Sequence, residues 1–139
     1  VRPDVSGPRA AELLNAAGWR AEVEVVPDET TRIRDAVTRA TRAGARLIIT
    51  TGGTGVSARD VTPDAMDDLF QREIPGIADA IRRAGTVPQA MLSRGRAGIV
   101  DTALVVNLAG SPGAVDDGIP VVLTVAGHVV AQLDGEDHG

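Results

Sequence analysis

The sequence predicts an α/β fold built on a parallel sheet, and three observations carry that prediction. A β-branched run, Leu47-Ile48-Ile49-Thr50-Thr51, stops at Gly52-Gly53-Thr54-Gly55 and is followed by a helix start, Thr62-Pro63-Asp64. A second apolar run, Leu104-Val105-Val106-Asn107-Leu108, stops in the same way at Gly110-Ser111-Pro112-Gly113. Between the half-polar stretch 21–26 and Leu47 lies a helical segment, and a right-handed crossover turns that strand–helix–strand order into parallel neighbours. Continuous apolar runs of this length suit strands covered on both faces.

Each element has its own signature. Ser6-Gly7-Pro8 opens a helix in which Ala10, Leu13, Leu14 and Ala17 recur at helical spacing, and Gly18 stops it. Residues 21–26 alternate Glu22 and Glu24 with Val23 and Val25, the pattern of a half-exposed strand near a sheet edge. Pro27-Asp28-Glu29 opens the next helix, with Ile33, Ala36, Val37 and Ala40 along its buried stripe and Gly44 at its end. After the glycine loop, Ala65, Met66, Leu69 and Phe70 make a short amphipathic helix. Ile74, Ile77, Ala78 and Ile81 make another that ends at Gly85. Residues 87–100 read as an irregular loop with a short strand. From Ser111 to Leu133 the pattern is helical, with an interruption expected at Gly118-Ile119-Pro120. Residues 134–139 read as a frayed polar tail, and the whole of 1–139 as one domain.

Composition removes several functions. A net charge of −5 argues against a nucleic-acid binder. The absence of cysteine excludes disulfides, zinc–thiolate sites and thiol nucleophiles. All fourteen basic residues are arginine, which excludes Schiff-base chemistry and a lysine-dependent P-loop. One Trp, one Phe and no Tyr leave no aromatic platforms for single strands. With no apolar run read as a membrane span and no signal peptide, a cytoplasmic protein without a membrane partner is expected.

The chemistry concentrates after the first buried strand. Three glycines in four positions bring backbone N–H groups close to a bound group, and Thr51 and Thr54 add hydroxyls, so a phosphate or carboxylate site is expected there. The loose dinucleotide pattern from Gly53 to Ala58 is discounted, because its helix starts late and the region about twenty residues on reads as helix. Asp60 stands outside the capping of the next helix, which falls to Thr62. A carboxylate beside a phosphate loop is repelled unless a cation bridges the two, and Mg²⁺ takes one or two carboxylates plus phosphate oxygens. Asp28, at the end of its strand, either caps the helix after Pro27 or supplies a second carboxylate on the same rim; its spacing leaves both open. Ser111 reads as an N-cap that aims the next N–H groups at that rim, and Asn107 is a polar residue in a buried strand that needs partners.

Thr50-Thr51-Gly52-Gly53-Thr54-Gly55 followed by Arg59-Asp60-Val61-Thr62-Pro63-Asp64-Ala65 closely resembles the signature of the MoaB/Mog family of molybdenum-cofactor biosynthesis, to which the gephyrin N-terminal domain is related. Asp4-Val5-Ser6-Gly7-Pro8, Pro27-Asp28-Glu29, Ile74-Pro75-Gly76, Leu92-Ser93-Arg94 and Asn107-Leu108-Ala109-Gly110-Ser111-Pro112 extend the resemblance over nearly the whole chain. It implies a three-layer α/β/α sandwich with a mostly parallel sheet, usually assembled as a trimer. It also implies Mg²⁺-dependent molybdopterin adenylyltransferase activity, with ATP and molybdopterin as substrates and a molybdate-inserting enzyme as the next partner. By motif, Asp28 and Asp60 would be the catalytic, metal-holding pair. Thr51, Gly52, Gly53, Thr54, Gly55, Ser6, Gly7, Ser93, Gly110, Ser111 and Pro112 would hold phosphate and pterin. Arg59 or Arg94 would meet charge on the transferring group. A non-catalytic pterin carrier is the alternative, and a gephyrin-like scaffold a third. Family members usually carry a strand before Asp4, and only Val1-Arg2-Pro3 precede it here, so that strand is expected to be absent from this sequence.

Overall fold

The structure, a computed structural model, describes residues 5–135. Asp4 and most of the polar tail lie outside the described residues. Five helices are seen: α1 (Ser6–Ala16), α2 (Thr30–Arg42), α3 (Thr62–Ala65), α4 (Pro75–Ala84) and α5 (Pro112–Leu133). Four strands are β1 (Leu47–Thr51), β2 (Arg72–Glu73), β3 (Ala97–Val100) and β4 (Ala103–Leu108), and a 3₁₀ turn covers Pro88–Leu92.

The strands form one sheet in the order β1-β4-β3-β2. β1 runs parallel to β4, with Thr50 opposite Asn107 and Thr51 opposite Leu108. The α/β class holds, but the described sheet is mixed where a mostly parallel one was expected. β3 and β4 are antiparallel, as are β2 and β3. The cause is local: Asp101-Thr102 is a two-residue turn, and Asp101 takes a left-handed backbone (φ 53°) that folds β3 directly onto β4.

Strand alternation splits the core into two layers. Leu104, Val106 and Leu108 of β4, with Leu47 and Ile49 of β1, face α1, α4 and α5 through Ala10, Leu14, Ile77, Val115, Ile119 and Val122. Val105 and Ile48 face the other way, toward Ile33 and Val37 of α2 and Ala65 and Met66 around α3. The expected three-layer sandwich is therefore present.

Three local readings change. Residues 21–26 join no ladder among the described residues, and Val25 is 76% exposed. α5 runs unbroken through Pro120. The missing Pro120 N–H costs one bond to the Asp116 carbonyl, but buried Val115, Ile119, Val122 and Ala126 hold the helix on both sides of it. Gly118 lets it sit close, since a Cβ there would lie 2.8 Å from Leu108 Cδ2. α5 is also long and apolar enough, by length and composition, to cross a membrane, contrary to the sequence reading; here its buried residues belong to the core.

Candidate active site

Because β1 and β4 are parallel, Thr51 and Leu108 end at the same rim. The chain leaves β1 for α3, in the α2 layer, and leaves β4 for α5, in the opposite layer. Connections that diverge to opposite faces open a crevice at the carboxyl ends of the strands, the usual ligand position in such sheets.

Glycines let the two connections touch. The Gly52 N–H donates to the Leu108 carbonyl (2.9 Å), and a Cβ on Gly110 would stand 3.0 Å from Gly52 Cα. Gly53 has φ +70°, and a Cβ there would run into the Thr62 hydroxyl, so both conformation and space favour glycine. α1 closes the third side, where the buried Ser6 hydroxyl donates to the Gly110 carbonyl (2.5 Å). Beneath the rim, Asn107 finds its expected partners: its amide donates to Thr50 Oγ1 (3.0 Å) and its carbonyl oxygen accepts from Arg96 N–H (3.2 Å).

Within this frame the predicted residues take distinct places. Thr54 is buried, and its hydroxyl accepts from the Ser93 hydroxyl at 3.0 Å, joining two motifs 39 residues apart. The N–H groups of Gly53 and Thr54 donate to no acceptor among the described residues, which leaves them for a bound anion. Ser111 caps α5 as expected, accepting from Ala114 N–H (3.1 Å), with exposed Pro112 at the first helical position. Thr51 ends β1 at the rim, and Gly7 is the second residue of α1.

Asp60 stands outside the capping of α3, as expected, but it has a task within its own loop. One of its oxygens accepts from Ser57 N–H (3.0 Å), closing the loop on itself. Hydrogen bonding from Ser57, its side chain above all and then its N–H, holds the Asp60 carboxyl below its ordinary value, and Gly55 N–H and the Arg94 charge add to this. It is therefore an anion at neutral pH. Gly55 leaves room for this carboxylate, since a Cβ there would lie 2.8 Å from Asp60 Oδ2 and the carboxylate would have to shift.

The helix expected to begin with Thr62 as its cap instead includes Thr62, has Val61 before it with no side-chain cap, and lasts one turn. The Thr62 N–H donates to the Gly53 carbonyl (3.1 Å), which ties the start of α3 to the glycine loop. The long helix at the rim is α5. Asp28 is exposed and does not cap α2, whose cap position is Glu29 without a side-chain bond. That removes the capping explanation for Asp28. No hydrogen bond joins it to the 52–60 loop among the described residues.

Two concavities lie elsewhere. One of about 350 Å³ beside Pro27 is lined by Glu24, Val26, Arg32, Asp35 and Arg39, and one of about 260 Å³ lies between α4 and α5. The rim lies outside both. Among the described residues no group of three or more His, Cys, Asp or Glu could hold a metal alone. The donors fit Mg²⁺ in a different way: one ionised, pre-set carboxylate beside unpaired N–H groups suits an ion completed by substrate phosphates and water.

The chain is similar to known proteins over nearly its whole length. A family profile described as "Probable molybdopterin binding domain" matches residues 1–128. The "Molybdenum cofactor biosynthesis bifunctional protein" of Synechococcus elongatus is 38% identical over 98% of this chain, which spans 44% of that protein's length. The "Molybdopterin adenylyltransferase" of Escherichia coli K12 is 35% identical over 94% of this chain and 70% of its own. The solved structure of the molybdopterin biosynthesis Mog protein from Mycobacterium ulcerans superposes with a TM-score of 0.90 at 44% identity, covering 96% of this chain and 89% of that one.

Proposed function

This chain belongs to the molybdopterin binding domain family, and on that premise we propose that it transfers an adenylyl group from ATP to molybdopterin. An oxygen of the terminal phosphate of molybdopterin forms a bond to the α-phosphorus of ATP. The bond from that phosphorus to its bridging oxygen breaks, and pyrophosphate leaves with the electron pair. The single observation carrying this reading is the juxtaposition, on one rim, of unpaired N–H groups at Gly53 and Thr54 with the ionised, loop-locked carboxylate of Asp60.

Each group has a task the chemistry requires. Gly53 and Thr54 N–H groups bind phosphate oxygens, with Thr51, Gly52 and Gly55 shaping the loop. Ser6 and Gly7, the linked Thr54–Ser93 hydroxyls, and Gly110, Ser111 and Pro112 at the start of α5 hold the pterin phosphate and ring. Asp60 and Asp28 would hold Mg²⁺, which when bound neutralises phosphate charge. Asp28 is free for this role because it caps nothing. Val26 and Val61, two residues before Asp28 and one after Asp60, also pack against the same core cluster. Catalysis in this account is positioning and charge neutralisation without a covalent nucleophile. We place the protein in the cytoplasm as a homotrimer that passes its product to a molybdate-inserting enzyme.

The test is incubation with molybdopterin, ATP and Mg²⁺ followed by mass analysis. Adenylylated pterin and pyrophosphate in equal amounts, both abolished by a chelator, are expected. Pterin that binds but stays unmodified would replace the enzyme with a carrier.

A further inference from the structure

We propose that Arg94 is a positioning residue, a clamp that fixes the 55–60 loop and thereby sets the Asp60 carboxylate, rather than a group that meets charge on the substrate. The sequence leaves Arg59 and Arg94 interchangeable in that second role; the geometry separates them. The Arg94 Nε donates to the Gly55 carbonyl (2.8 Å), and one terminal nitrogen donates to the Asp60 carbonyl (2.6 Å). Both terminal nitrogens also reach the Asp64 carboxylate (3.3 and 3.2 Å). The Arg94 N–H adds a bond to the Thr54 carbonyl (2.7 Å).

One planar fork thus grips both ends of a six-residue loop and is itself anchored at the start of α3. Only a guanidinium presents donors in that fixed arrangement; an ammonium is a point charge that cannot bridge three acceptors in a plane. With its edge committed to two carbonyls and a carboxylate, Arg94 has little left for a phosphate. The Arg59 guanidinium, exposed on the same loop, makes no hydrogen bond or ion pair among the described residues. The loop has little apolar anchoring of its own, since Val56 is 74% exposed. Polar bonds therefore decide whether it is ordered: Ser57 and Asp60 close it from within, and the Arg94 side chain is what ties its two ends to the rest of the fold.

The inference rests on the adenylyl-transfer reading only for what the loop binds, so the experiment has two arms. Arg94→Lys, which keeps the charge and loses the fork, and Asp64→Asn, which weakens the anchor, are compared with the wild type in the full chain. In the first arm, amide hydrogen exchange across residues 53–61, including Ser57 and Asp60 N–H, is followed with and without MgATP. Exchange there rises about tenfold in Arg94→Lys and less in Asp64→Asn, while β4 and α5 keep their protection. In the second arm, KM for MgATP rises about tenfold in Arg94→Lys with kcat held within about threefold, the pattern of lost ground-state binding. Unchanged loop exchange overturns the proposal. So does a fall in kcat at constant KM, which would put Arg94 against the transition state. Accelerated exchange over the whole chain would reduce it to a fold contact and equally overturns it. If the wild type transfers no adenylyl group, the proposed function fails while the exchange arm still decides the clamp.

Discussion

Two arginines only two residues apart, Arg94 and Arg96, hold two different kinds of structure. Arg96 works at the edge of the sheet. Its guanidinium pairs with Glu73 of β2 (2.6 Å) and Asp67 (2.7 Å), donates to the Pro63 carbonyl (2.9 Å) and lies over the Phe70 ring at 5.1 Å. Below it the β3–β4 hairpin is closed apolar packing, with Ala97, Leu104, Val105 and Val106 at zero exposure. Arg94 instead faces a loop with no such packing and holds it by hydrogen bonds to the Gly55 and Asp60 carbonyls, anchored by an ion pair with Asp64. The hairpin region draws its stability from burial, whereas the rim draws its geometry from a few directional bonds. Substitutions in the two regions should therefore fail in different ways: in the core they lower stability and spare the chemistry of surviving protein, and on the rim they do the reverse.

The largest effect that would sharpen this contrast is Asp60→Asn, expected to lower adenylyl transfer by roughly 100-fold or more with an unchanged melting temperature. Transfer assays beside calorimetry check it, and a large drop in Tm would break the contrast. Next is Leu104→Ala, which empties a site of zero exposure. It should cost about 3 kcal/mol of unfolding free energy by denaturant titration, with kcat of the folded fraction retained. Ser111→Ala removes the cap on α5 at the boundary of the two regions, for a loss of about 1 kcal/mol and a modest rise in KM for the pterin.

The smallest effect belongs to Glu73→Gln. Arg96, first by hydrogen bonding and then by charge, holds the Glu73 carboxyl below its ordinary value of 4.5. A carboxyl lowered on folding contributes stability above its unfolded value and loses it as pH falls through the folded one. The wild type should therefore exceed Glu73→Gln in Tm slightly above pH 5, and the difference should close on further acidification. A gap that widened in acid would contradict the pairing.

The same division governs what the sequence made legible. β1, β4 and the stripes of α1, α2 and α4 were readable because burial on a regular element leaves a period. The Ser111 cap was readable because its bond closes within three residues. The β3–β4 turn was only partly signalled: Asp101-Thr102 between two apolar runs is a turn pattern, but the run 87–100 hid where the strand began. β2 is two residues of Arg and Glu and carries no pattern at all. On the rim, residue types were readable and their relations were not. Arg94 stands 30 to 39 residues from Asp64, Asp60 and Gly55, and nothing local distinguishes a clamp from a free cation. Thr62 was misassigned as a cap because α3 begins one residue earlier than the Thr-Pro pattern suggests, with Val61 in the cap position.

The central claim is that the rim between β1 and β4 carries adenylyl transfer through Asp60. ATP labelled at its α-phosphate, incubated with molybdopterin and Mg²⁺, measures this directly when the wild type and Asp60→Asn are run side by side. Label moving into the pterin with the wild type, and about 100-fold more slowly with the variant, is the predicted result. Label moving equally fast with both, or remaining in ATP with both while pterin is bound, would contradict it.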